Sequence, residues 1–142
     1  MPYLMRTKRA LVYAWLLATV LSGIPSTLYA LLTGGDPLEA TRAAGAMIGL
    51  PGSIAAAALV HAAVSLFWSF VLWCVLPYRH GMFWALAASA GVAILDLRLL
   101  APVFFPEVAA LDFWPQFADH LAWGLCVGCA LERGQTAARA LT

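Results

Sequence analysis

Four apolar runs, each long enough to cross a bilayer, take up most of this 142-residue chain. A hydrocarbon core about 30 Å thick needs about 20 residues of helix at 1.5 Å per residue. Residues 10–32, 54–76, 82–103 and 113–131 meet that requirement. Lipid offers the backbone no hydrogen-bond partner, so only helices or closed barrels span it, and none of these runs shows the period-2 alternation of a barrel strand. The expectation is an all-α fold: an integral membrane bundle of four transmembrane helices, built as a single membrane domain over residues 1–142. Composition agrees, since 63% of residues are hydrophobic and 11% charged, too few charges to cover a water-soluble domain of this size. A net charge of +1 gives no surface for nucleic acid.

The first run follows a short basic segment, as a secretory signal would, but it is longer than a signal's apolar region needs, so a retained span is expected. Basic residues then set the orientation. Arg6, Lys8 and Arg9 precede the first span, Arg79 lies in the turn between the second and third, and Arg133 and Arg139 follow the fourth. The opposite side receives Asp36, Glu39, Glu107 and Asp112, with Arg42 and, near the boundary, Arg98. Both termini are therefore expected on the cytoplasmic side.

The first outer connection carries a helix-start signature in Asp36, Pro37 and Glu39, and Gly49, Leu50, Pro51 and Gly52 form a stop. A short interfacial helix over 37–49 is expected. The second outer connection is rich in Pro and aromatics: Pro102, Phe104, Phe105, Pro106, Phe113, Trp114 and Pro115. Such rings favour the headgroup region and form an interfacial belt.

Ionisable residues inside the runs mark a site by default, because hydrocarbon tolerates them only where they face protein or water. Counting 1.5 Å per residue, His61 lies about 10 Å below the outer boundary, Asp96 about 9 Å and the pair Asp119 and His120 about 6 to 8 Å. Three spans thus bring titratable groups to one level. The first span reaches the same level with Gly23, Pro25 and Ser26, where Pro25 has no N–H for the Leu21 carbonyl and should kink the helix. A polar cluster of His61, Asp96, Arg98, Asp119 and His120 in the outer half of the bundle follows, with Arg98 expected to turn away from Asp96 toward the headgroups.

Several chemistries fit those residues. His61 and His120 as nitrogen ligands, with Asp119 or Asp96 as oxygen ligands, would suit a transition metal. The two histidines facing each other would suit a haem. A chain of His and Asp would suit a proton or solute path, although few polar residues beyond Ser65, Ser69 and Ser89 continue it inward. The plainest reading is an interhelical hydrogen-bonded cluster that fixes packing. Cys74, Cys126 and Cys129 form a second, fainter set that reads as small buried hydrophobes. The G-x-x-x-G patterns at Gly124 and Gly128 and at Gly45 and Gly49 supply close helix contacts, within the chain or with other membrane subunits or a second copy. Nucleophile, P-loop, dinucleotide and zinc-protease motifs are all missing from the sequence, so an enzyme assignment would rest on the pocket alone.

The stretch from Ser22 to Thr27, the segment from Asp36 to Gly45, Asp96 between Leu95 and Leu97, and the pair Asp119 and His120 resemble a group of small hypothetical bacterial inner-membrane proteins. The layout is also similar to the YagU-like four-helix proteins. The resemblance covers most of the chain; it implies a helical inner-membrane protein and names no activity. The functional expectation is a structural or accessory subunit of a membrane assembly. Metal or haem binding, and proton or solute transport, are the alternatives.

Overall fold

The computed structural model describes residues 8–77 and 80–139, with side chains described as far as residue 133. Arg6, Arg79 and the Arg139 side chain, used above for orientation, lie outside the described residues. The described residues form helices α1 (Lys8–Leu21), α2 (Ile24–Thr33), α3 (Glu39–Ala46), α4 (Ile54–Val75), α5 (Gly81–Ile94), a π-helical segment (Leu95–Leu100), α6 (Ala101–Phe104), α7 (Pro106–Ala109) and α8 (Phe113–Arg139). No strand occurs among them.

Three helical stretches are long and apolar enough to cross a membrane: Lys8–Thr33, Ile54–Val75 and Gly81–Phe104, of 26, 22 and 24 residues. Helix α8 has the length, at 27 residues, but Pro115, Gln116, Asp119 and His120 dilute the apolar character of its N-terminal half. The burial pattern is the reverse of a water-soluble core. Buried positions are held mostly by alanine and serine, among them Ala10, Ala14, Ala18, Ala85, Ala93, Ser65, Ser69 and Ser89, while Leu32 and Trp114 are 85% and 75% exposed. With no hydrophobic drive between helices in lipid, small residues let backbones approach and large apolar ones face the hydrocarbon.

The helices stand in a row, with α1 packed between α4 and α8, and α8 between α1 and α5. Ala10, Ala14 and Ala18, spaced four apart, give α1 a narrow buried stripe. Gly124 and Gly128 do the same for α8. A Cβ on Gly124 would lie 2.3 Å from the Ser89 Oγ, and one on Gly128 would lie 2.9 Å from the Met82 Cα, both on α5. That small-residue face is therefore spent inside the chain.

Three expectations need correction. The outer helix is shorter than 37–49, running over Glu39–Ala46. Asp36 caps a preceding turn instead, accepting the Leu38 N–H at 2.9 Å and pairing with Arg42; at the far end Gly49 takes φ +74°, outside any helix. Consequently only Gly45 of that G-x-x-x-G pattern packs closely, its missing Cβ leaving room for the Leu50 and Ser53 carbonyls. The first span is not one kinked helix but two, α1 and α2, separated at Ser22 and Gly23. The third span widens into a π-helix before Pro102. That proline cannot donate to the Arg98 carbonyl, and in the wider register Ala101 donates to Asp96 five residues back.

Helix starts are capped both locally and across the fold. Ser53 accepts the Ala56 N–H at 3.2 Å and opens α4. Helix α5 begins at Gly81 after His80, whose φ is +57°, and its Met82 N–H is taken by the Glu132 carboxylate of α8 at 2.8 Å.

Candidate functional site

The site is built around the break in the first span. Where a helix stops inside a membrane, its last carbonyls and the next helix's first N–H groups lose their partners, and leaving them bare in hydrocarbon costs several kcal/mol each. Two residues from other helices meet that cost here. On the α1 side, the Nε2 of His61 lies 3.1 Å from the Thr19 carbonyl oxygen and 3.2 Å from the Ser22 Oγ. A carbonyl only accepts, so the Nε2 nitrogen carries the hydrogen and donates it. On the α2 side, the Ser26 N–H donates to the Asp119 Oδ1 at 2.9 Å, next to Pro25, which has no N–H to offer.

The matching of charge to helix end is complementary. The C-terminal end of α1 carries partial negative charge and receives an imidazole donor; the N-terminal end of α2 carries partial positive charge and receives a carboxylate. Asp119 is also within electrostatic reach of both His61 and His120.

The next residue on α8 continues the row. The Nδ1 of His120 lies 2.8 Å from the Gln116 carbonyl oxygen, one turn back in its own helix, and must be the donor there. This leaves the Nε2 facing the Asp96 Oδ2 at 3.5 Å. In a neutral imidazole bonded this way, the Nε2 presents a lone pair, and a carboxylate presents another. The contact is attractive only when one proton lies between them, on the imidazole or on the acid. Asp96 reaches this position from the π-helical segment, whose wider register sets the direction of its side chain.

His61, the helix break, Asp119, His120 and Asp96 thus form one polar row across α4, the α1–α2 junction, α8 and the third span. Beneath it, Ser65 of α4 bonds to the Thr19 Oγ at 3.0 Å and to the Trp123 Nε1 at 3.1 Å, while the Trp15 Nε1 donates to the Ala62 carbonyl at 2.9 Å. Arg98 stands outside the row, its guanidinium 4.1 Å from the centre of the Phe113 ring. It rests on an aromatic face, where a cation is attracted by the ring's negative centre.

Above the row opens a cavity of about 200 Å³ whose lining includes Ser26, Tyr29, Asp36, Glu39, Asp112 and Gln116. Its carboxylates outnumber its cations: among the described residues no Lys, Arg or His lines it, Asp36 is paired with Arg42 from outside the lining, and Asp112 accepts the Tyr29 hydroxyl at 3.0 Å. Ser26 and Gln116 belong to both the lining and the row, so the cavity reaches the groups that hold Asp119 and His120.

Some expected constellations do not assemble. Among the described residues, no three His, Cys, Asp or Glu side chains gather closely enough to hold a metal ion. His61 bonds at the helix break and His120 faces Asp96, so the two imidazoles address different partners. All three cysteines are free, with Cys74 exposed while Cys126 and Cys129 are half-buried.

Sequence reading missed Glu132, whose contact with Met82 joins residues 50 apart, and the roles of Thr19, Ser65 and the Gln116 carbonyl. One signal was there to find: Glu132 is the only acid of α8 apart from Asp119, and an acid near a membrane-helix end commonly serves a partner. Searches against protein-family models, curated proteins and solved structures return no match to this chain.

Proposed function

We propose that this chain is a four-span protein of a bacterial inner membrane, with both termini in the cytoplasm, that serves as a subunit of a membrane assembly and binds a proton in its outer half. The fourth span in this reading is α8. Its length supports that role, as do its place between α1 and α5 and the basic Arg133 that follows its apolar stretch. The α3 segment then sits at the outer interface.

The observation that carries the proton-binding reading is the contact between His120 and Asp96, in which the Gln116 carbonyl has already fixed the other ring nitrogen as a donor. The acid-lined cavity supports it further, since a negative field concentrates cations, hydronium included, at the mouth of the row. A purely structural reading draws its own support from His61 and Asp119, which act as caps for a broken helix whatever the chain does.

Proton uptake separates the two readings. In purified protein, the infrared difference spectrum between acid and neutral pH shows a protonation change that vanishes in both Asp96→Asn and His120→Gln and survives in His61→Ala. A change that persists undiminished in both pair variants removes the proton-binding reading and leaves the caps.

A further inference from the structure

The buried face of α4 carries more polar atoms than its packing uses. His61, Ser65 and Ser69 recur every four residues along one side of the helix, with His61 exposed and Ser65 and Ser69 buried. Ser65 is engaged by Thr19 and Trp123. Ser69 is fully buried, at 0% exposure, and its hydroxyl has no hydrogen-bond partner among the described residues. An orphaned hydroxyl in a membrane interior costs about 1 to 3 kcal/mol, unless water supplies the missing bond. Directly beyond it on the same face come Leu72 and Leu76, which share a buried cluster with Val127 and Leu131 of α8. The polar stripe therefore ends abruptly at an apolar layer.

We propose that Ser69 is the inner end of a hydrated hydroxyl column that descends from the outer row through Thr19 and Ser65, and that Leu72, Leu76, Val127 and Leu131 plug it. In this arrangement a proton taken up from the outer face exchanges along the column but does not reach the cytoplasmic side. Transfer requires the plug to open, as in pores that gate by drying a narrow apolar section. In this proposal the apolar layer closes the column toward the cytoplasmic side. The proposal rests on the proton-binding reading above only for what moves; the water column and the plug stand without it.

Two measurements test it. In the wild-type protein in lipid bilayers, magnetisation transfer from water in solid-state NMR reaches Ser65 and Ser69 and fails to reach Leu72 and Leu131; a dry Ser69 overturns the column. In liposomes loaded with a pH-sensitive dye, Leu72→Ser and, independently, Leu131→Ser raise the passive proton leak about tenfold over wild type, and adding Ser69→Ala returns it toward the wild-type rate. A leak unchanged in correctly assembled Leu72→Ser and Leu131→Ser overturns the plug, as does a leak indifferent to Ser69. If the infrared signal of the Asp96 and His120 pair fails while Ser69 remains wet, the proton-binding reading falls and the column does not.

Discussion

Gly124→Val leaves the protein unable to hold its fold at ordinary temperatures in mild detergent, and Gly124→Ala lowers stability by about 1 to 3 kcal/mol, the usual cost of forcing extra carbon into a filled core. The reason is distance. Even the first added carbon meets the Ser89 Oγ at 2.3 Å, the Ser89 Cβ at 2.6 Å and the Ala85 carbonyl oxygen at 3.0 Å. A rotated serine relieves the first of these contacts only. Thermal unfolding followed by circular dichroism checks the loss, and Ser89→Gly restores part of it in the alanine variant because two of the three obstructing atoms disappear. Stability unchanged in Gly124→Ala would show that α8 and α5 are farther apart than described.

The second large effect comes from Asp119→Leu. It strands the Ser26 N–H at the start of α2, beside a proline that offers none, and costs about 1 to 3 kcal/mol for the unsatisfied donor. Removing the negative charge from the helix N-terminus adds about 0.3 to 1 kcal/mol. Asp119→Asn separates the two contributions, since an amide oxygen still accepts the Ser26 N–H, and only the smaller electrostatic loss is expected. Denaturant titration in detergent reads both. Equal losses for Leu and Asn would mean that charge, not the hydrogen bond, ties α8 to the broken span.

These two sites show how unevenly the fold could be read from its residues. The three strongly apolar spans were legible because run length alone decides them. Rise per residue also pointed to a meeting of titratable groups, and Asp96 and His120 do approach to 3.5 Å, although Asp96 arrives from a π-helical segment and not from a straight helix. Gly124 and Gly128 announced a close contact, though not that α5 would fill it. Helix α8 was harder. Its outer half is interrupted by the very residues that form the site, so polarity that marks a site also weakens the signal for a span.

What sequence could not supply was direction and partner. Pro25 predicts a disturbed helix, but whether the ladder bends or breaks depends on what is available to bond the released groups, and His61 and Asp119 lie 36 and 94 positions away in the chain. The π-helical segment illustrates the same limit. Pro102 removes one donor in any register, and only the neighbouring helices decide that the chain answers by widening at Leu95–Leu100, which aims Asp96 at His120. Glu132 and Met82 meet across 50 residues, a distance that no periodicity spans.

The account turns on one proton held between the third and fourth of the proposed spans. Its most direct test is solid-state NMR of ¹⁵N-labelled His120 and ¹³C-labelled Asp96 in lipid bilayers near neutral pH. The predicted spectrum has His120 protonated at Nδ1 and a single further proton shared with Asp96, seen either as a second protonated ring nitrogen or as a protonated carboxyl group, and coupled to both residues. A neutral imidazole with a bare Nε2 beside a fully ionised Asp96 carboxylate would contradict it.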